Sequence, residues 1–155
     1  MPNWCANNAE IYHDDPKQIE RVVAAFKRGE LCEEFLPIKH LQNDQQYDAA
    51  INAWGTKWDV GQDDGAVTVG DHGHRVYLSF ESAWSPPVGL YNELVRLGFE
   101  VYADYFEPGV GFVGEYQNGS DDCFEYSADD IDEIVPSRLV DKFEIHDWYE
   151  TDEAE

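Results

Sequence analysis

Positive charge is what this chain has least of. Ten Lys and Arg stand against 33 Asp and Glu, a formal net charge of −23 over 155 residues. Such a protein repels nucleic acid and anionic membranes and attracts basic protein surfaces. Direct nucleic-acid and membrane partners are therefore not expected. No apolar run approaches the roughly 18 residues that a membrane span needs. The chain begins Met1-Pro2-Asn3-Trp4-Cys5, with neither a basic region nor an apolar stretch, so no signal peptide is expected. The cysteines are few, odd in number and widely spaced (Cys5, Cys32, Cys123). That fits reduced thiols in a cytoplasm better than a disulfide framework. There is no Gly-rich phosphate loop and no zinc-type cysteine pair, so no cofactor and no metal is expected from motif.

Apolar and aromatic residues are plentiful. The chain is 43% hydrophobic and 14% aromatic, with five Trp, nine Tyr and eight Phe, enough to build a core despite the charge. The charge itself is uneven. Residues 1–119 hold 19 acidic and 8 basic side chains, whereas residues 120–155 hold 14 and 2. About half of the excess lies in less than a quarter of the chain.

Local patterns order the elements. Ala9 to His13 reads as a strand. Asp15-Pro16 opens a helix over 16–28, with Asp15 as N-cap, Pro16 at the first helical position and Ile19, Val22, Val23 and Phe26 on one face. Residues 30–53 are ambiguous: Phe35-Leu36-Pro37-Ile38 looks extended, and Asn43 to Asn52 suits a loop or a short helix. Trp58 to Gln62 has strand character, and Asp63-Asp64-Gly65 is a turn signal. Ala66 to Val69 and Arg75 to Glu81 read as strands, the latter with Val76, Leu78 and Phe80 alternating with Tyr77, Ser79 and Glu81. A second helix over 87–97 carries Leu90, Leu94 and Leu97, with Val95 beside them. Glu100 to Glu107 is a strand with Val101, Ala103 and Tyr105 on one face. Gly111 to Tyr116, the Asn118-Gly119 turn and Cys123 to Tyr126 form a hairpin. Beyond it, Ser127 caps a helical start at Asp129, with Ile131, Ile134 and Val135 as its apolar edge. Pro136 interrupts, Leu139, Val140 and Phe143 resume, and fraying is expected past Glu150.

This order predicts an α+β protein: a two-layer sandwich of an antiparallel, ferredoxin-like sheet with two packed helices and an acidic C-terminal helical extension. The expected division is a domain over 1–126 and an acidic helical extension over 127–155.

Three aromatic segments stand out: Met1-Pro2-Asn3-Trp4-Cys5-Ala6-Asn7, Trp54-Gly55-Thr56-Lys57-Trp58-Asp59 and Phe80-Glu81-Ser82-Ala83-Trp84-Ser85-Pro86-Pro87. In this order, with Tyr105-Phe106-Glu107 and Gly111-Phe112-Val113-Gly114 after them, they resemble a family of uncharacterised phage, plasmid and other mobile-element proteins that carry a YubB-like ferredoxin-like domain. The resemblance covers roughly residues 1–116. It implies a ferredoxin-like fold and a mobile-element origin, and it brings no activity with it. The acidic tail looks like an addition.

Two sites compete. Trp54, Lys57 and Trp58, with Trp84, suit an aromatic ligand pocket in which Lys57 meets an anion. They equally suit a core in which both indoles pack and Lys57 pairs with Asp59. The carboxylates Asp121, Asp122, Glu125, Asp129, Asp130, Asp132, Glu133, Asp141 and Glu144 suit a partner-binding face, or simply a solvated one. Asp71-His72-Gly73-His74, with Asp63 and Asp64, is the best metal-like cluster, but four well-spaced ligands cannot be named. Cys5 with His13 has the composition of a nucleophile and a base, without an orienting third group.

The leading expectation is a non-catalytic acidic binding protein that inhibits a basic host DNA-binding or defence protein by imitating the charge of DNA. The alternatives are an interaction or assembly module without DNA mimicry, and a small-ligand-binding protein or enzyme built on the Trp54, Lys57 and Trp58 cluster.

Overall fold

In a computed structural model, residues 3–61 and 66–153 are described, with side chains as far as Tyr149. The turn signal at Asp63-Asp64-Gly65 lies outside the described residues. Among those described, six strands form one antiparallel sheet in the order β2-β3-β1-β4-β5-β6. The strands are β1 (Trp4–Tyr12), β2 (Val67–Gly70), β3 (Arg75–Ala83), β4 (Glu100–Glu107), β5 (Phe112–Gln117) and β6 (Ser120–Glu125). The helices are α1 (Pro16–Lys27), α2 (Leu31–Phe35), α3 (Asn43–Trp54), α4 (Val88–Arg96), α5 (Ile131–Ile134), α6 (Ser137–Lys142) and α7 (Ile145–Glu153). The β1-α1-β2-β3-α4-β4 succession with β1 between β3 and β4 is the split βαβ arrangement of ferredoxin-like folds. β5 and β6 extend the sheet beyond it.

Alternation sorts the two faces. On β1 the buried side chains are Cys5, Asn7, Ala9 and Ile11. They align with Val76 and Leu78 of β3 and with Val101, Ala103 and Tyr105 of β4, through registers such as Ala9↔Leu78 and Ala9↔Ala103. α1 covers this face with Ile19, Val22, Ala25 and Phe26, and α4 with Leu90, Tyr91 and Leu94. Asp15 caps α1 as expected, accepting the Lys17 amide proton at 3.0 Å. Three side chains depart from the pattern, Phe80 of β3 being only partly buried. Val23 is only partly buried, and Leu97 is 40% exposed because α4 ends at Arg96. Tyr91 takes the place expected of Leu97, its hydroxyl donating to Asn7 at 3.1 Å.

The middle of the chain is more helical than its sequence suggests. Residues 43–54 form a full α3 whose buried contacts are few, Ala50 and Trp54. α3 is held by close approach to α4: a methyl group on Gly89 would lie 2.0 Å from the Ala53 carbonyl oxygen. Phe35 ends α2 rather than opening an extended run. Through Gly61 the segment after Trp58 is not a strand, because the Asp59 carboxylate instead receives the amides of Cys32, Glu33 and Val60 at 2.6, 3.0 and 2.8 Å. Gln62 lies outside the described residues.

The C-terminal segment forms a second layer on the opposite face. Ile131, Val135, Leu139, Val140 and Ile145 bury themselves with Phe106 and Val113, which face each other on β4 and β5. Pro136 separates α5 from α6 as expected. α7 continues the helical backbone to Glu153, past the expected fraying point. It is anchored by Tyr149, which shares a hydrogen bond with Tyr126 at 2.7 Å and donates to the Pro108 carbonyl at 3.1 Å.

Candidate functional site

The three aromatic segments, far apart in sequence, meet at one end of the sheet. Trp4 opposes Ala83 across β1 and β3. Asn7 donates to the Ser82 hydroxyl at 2.8 Å, and Ser82 in turn donates to the Ser85 carbonyl at 2.7 Å. The Thr56 hydroxyl donates to the Ala83 carbonyl at 2.9 Å, and Ser85 bonds the Gly55 carbonyl. The Trp84 amide donates to the Asn3 carbonyl at 2.8 Å. With these bonds made, no buried side-chain nitrogen or oxygen of the junction lacks a partner among the described residues.

Four of the five tryptophans stand partly in solvent at or beside this end: Trp4 (42% exposed), Trp58 (46%), Trp84 (43%) and Trp148 (55%). Indoles are largely buried on average, so their gathering on a surface is informative. Trp4 and Trp58 lie 5.9 Å apart between ring centroids, and Trp148 meets Phe106 edge-on at 5.8 Å. Trp84 holds a left-handed backbone, φ 72°, unusual for so bulky a residue.

Within the expected ligand cluster the roles divide. Trp54 is core, with its indole N–H donated to the Leu36 carbonyl at 2.8 Å. Trp58 is not core: it projects from the turn after Gly55, where it meets Trp4. Lys57 does not pair with Asp59, whose oxygens are taken by backbone amides. Its ammonium lies 4.9 Å from the Trp58 ring centre and 5.8 Å from that of Tyr47. Trp54, Lys57 and Trp58 line a recess of about 290 Å³ with Tyr47, Ile38 and Asp59. Trp84 is not among its lining residues.

The acidic residues divide as well. Asp121 accepts the Tyr105 hydroxyl at 2.6 Å; burial, and then this bond, hold the Tyr105 phenol well above its ordinary pKa. Asp130 accepts the Ser127 amide at 2.7 Å, and Asp132 faces the His146 imidazole at 2.8 Å. Asp122, Glu125, Asp129, Glu133, Asp141 and Glu144 are all exposed. Among the described residues no ion pair holds any of these six. The segment's own cations do not neutralise them. Arg138 forks onto Asp104 at 3.0 and 3.1 Å and also reaches Glu115, while Lys142 bonds Asp104. Both stay exposed, with their charges paired to carboxylates of the sheet. Burial pushes the Asp104 carboxyl up, but those bonds outweigh it and hold the group below its ordinary range.

Beside Arg138 the uncovered half of the sheet forms a groove of about 570 Å³, lined among others by Asn8, Glu10, Tyr77, Ser79 and Tyr102. Its cations are already paired, and Arg75 holds Glu10 at 2.7 Å.

The two minor candidate clusters take other roles where they are described. Asp71–Gly73 is a 3-10 turn in which the His74 ring bonds the His13 carbonyl at 3.0 Å and Asp71 faces Arg75. Asp63 and Asp64 lie outside the described residues. No group of three potential metal ligands forms among the described residues. Cys5 lies near one end of β1 and His13 just beyond the other, so they cannot act as nucleophile and base. Burial also pushes the Cys5 thiol up to about 12, against a lowering bond from Ser82.

No protein-family model matches the chain, and no curated protein matches it. A solved structure, that of a protein api92 from Yersinia pseudotuberculosis described by the family model DUF1281, is 25% identical with a TM-score of 0.38. The likeness covers 59% of this chain and 33% of that one, so the present chain spans about a third of that protein's length.

Proposed function

We propose that this is a non-catalytic binding protein whose acidic C-terminal layer docks on a basic protein surface. One observation carries the reading: Arg138 and Lys142, the only cations in residues 120–155, are tied to Asp104 and Glu115. Among the described residues, Asp129, Glu133, Asp141 and Glu144 on α5, α6 and their flanking turns are left without a cation.

A magnitude separates DNA mimicry from general acidity. A net charge of −23 over 8,587 Å² is one charge per about 370 Å². DNA, with a charge per ~1.7 Å of axis, carries about one per 110 Å² of a cylinder roughly 20 Å wide. Uniform spreading falls about threefold short. Half of the excess is gathered in residues 120–155, and this concentration supports the DNA-like reading over general acidity. A host DNA-binding or defence protein, whose groove is already built for phosphate charge, is therefore the partner class that this layer fits.

The test uses a partner isolated from the host and a DNA duplex that it binds. The protein should displace the duplex, and affinity should fall steeply between about 50 and about 500 mM salt as screening shortens to a few ångströms. Reversing Asp129, Glu133, Asp141 and Glu144 to Lys, which touches no internal ion pair, should slow association. Affinity indifferent to salt and to these four reversals would overturn the reading.

A further inference from the structure

Beside the acidic layer, the tryptophan end opens a cleft of about 360 Å³ between β1, β4 and α7, lined by Trp4, Phe106, Trp148, Pro108, Glu81 and Glu107 with a few small neighbours. We propose that this cleft receives an arginine side chain of the protein partner, the guanidinium resting on indole and facing Glu81. The inference rests on the binding-protein reading above and names the group that the partner presents.

Four observations carry it. The lining contains one exposed carboxylate, Glu81, and no Lys or Arg, so it favours a cation. Glu81 is exposed, and no ion pair among the described residues engages it. Glu107 is 1% exposed, and its carboxylate takes the amides of Gly109 and Val110 at 2.5 and 2.8 Å, which fixes the turn that bounds the cleft. The protein also sets a cation of its own, Lys57, over Trp58, the indole that adjoins Trp4. An indole at this end of the sheet thus already takes a cation on its face.

Arginine fits better than lysine. Its guanidinium is planar, weakly hydrated and forked, so it can stack on indole while it pairs with a carboxylate. A protein side chain fits better than a free metabolite because α7, which supplies Trp148, belongs to the acidic layer. An arginine seated here would lie within a larger contact. The volume is near the lower end of the roughly 300–1,000 Å³ of small-molecule pockets.

The test needs no identified partner. A capped Gly-Arg-Gly peptide is titrated in about 0.5 M salt, where long-range attraction to the acidic layer is screened, and the indole N–H resonances of Trp4 and Trp148 are followed. Saturable shifts of both are expected, with much weaker binding of the isosteric citrulline peptide. Glu81→Gln and Trp148→Ala should each weaken binding by about two- to thirty-fold, the span of exposed to desolvated cation–π contacts. Should Trp148→Ala disturb α7, Glu81→Gln alone decides. Equal binding of citrulline, no saturable shift, or an unchanged affinity in Glu81→Gln overturns the proposal. The four reversals in the acidic layer should leave this tripeptide's affinity unchanged, so failure of the layer and failure of the cleft read out separately.

Discussion

Arg138 on α6 forks onto Asp104 of β4, its two terminal nitrogens 3.0 and 3.1 Å from the two carboxylate oxygens. That pair ties the acidic layer to the sheet while engaging the layer's main cation with a sheet carboxylate. The Asp104 side chain is 14% exposed and its pKa is lowered in the fold. A depressed carboxylate contributes stability that is present above its unfolded value, about 3.9, and is lost as pH falls through the lower folded value. Urea midpoints measured at neutral pH and near pH 3 should therefore fall less in Asp104→Asn than in the native chain. An identical fall in both would remove Asp104 from the acid response.

Self-repulsion among the outer carboxylates opposes folding, because −23 is confined to a small surface. Added salt shortens its range, so the melting temperature of the native protein should rise from about 0.01 to about 0.3 M sodium chloride. Neutralising Asp129, Glu133, Asp141 and Glu144 to their amides should raise the low-salt melting temperature and flatten that rise. A melting temperature independent of salt would mean that the repulsion is already relieved.

Much of the fold was legible because burial on this sheet follows period two. Val101, Ala103 and Tyr105 emerged as one buried face, and Asp15-Pro16 as a helix start, from local chemistry alone. The Asn118-Gly119 turn, with φ of 45° and 110°, was equally explicit. α3 was not, because its apolar anchors are only Ala50 and Trp54 and a tertiary fit at Gly89 holds it. The docking of the C-terminal layer was hidden for a related reason: the residues it covers, Phe106 and Val113, sit in strands whose other face is also buried. The candidate cleft was half legible. Trp4 belongs to a conspicuous motif, but Trp148 lies in an acidic stretch with no local signal. Only the chain's return across the sheet brings it to Trp4.

The tryptophans of the 54–59 segment should separate in mutation. Trp54 is 5% exposed and hydrogen-bonded to Leu36, so Trp54→Ala should cost about 3–5 kcal/mol, as buried aromatic truncations do. Trp58, nearly half exposed, should cost far less. Lys57→Ala should cost about 0.5–1 kcal/mol, the scale of an exposed cation–π contact. Chemical denaturation of the three variants checks the order. A Trp58→Ala as damaging as Trp54→Ala would mean that the Trp4–Trp58 contact supports the sheet end rather than presenting a surface.

Gly89 offers the sharpest test of the α3–α4 fit. A methyl group there would lie 2.0 Å from the Ala53 carbonyl oxygen and 2.9 Å from the Trp54 carbonyl carbon, so two helix backbones must part to admit it. In an exposed helix interior Gly→Ala is stabilising, by about 0.8–1.0 kcal/mol of propensity. Here overpacking opposes that gain at roughly 1–3 kcal/mol, and backbone offers less room to yield than a side chain. Gly89→Ala should therefore lower stability, and indole fluorescence should report a changed environment for Trp54. The control is Asn92→Ala on the same helix, which removes only the acceptor of the Tyr116 hydroxyl at 2.7 Å and should cost about 1 kcal/mol. A stabilised Gly89→Ala would show that α3 can withdraw from α4 freely, and that the long α3 is held by its own propensity instead.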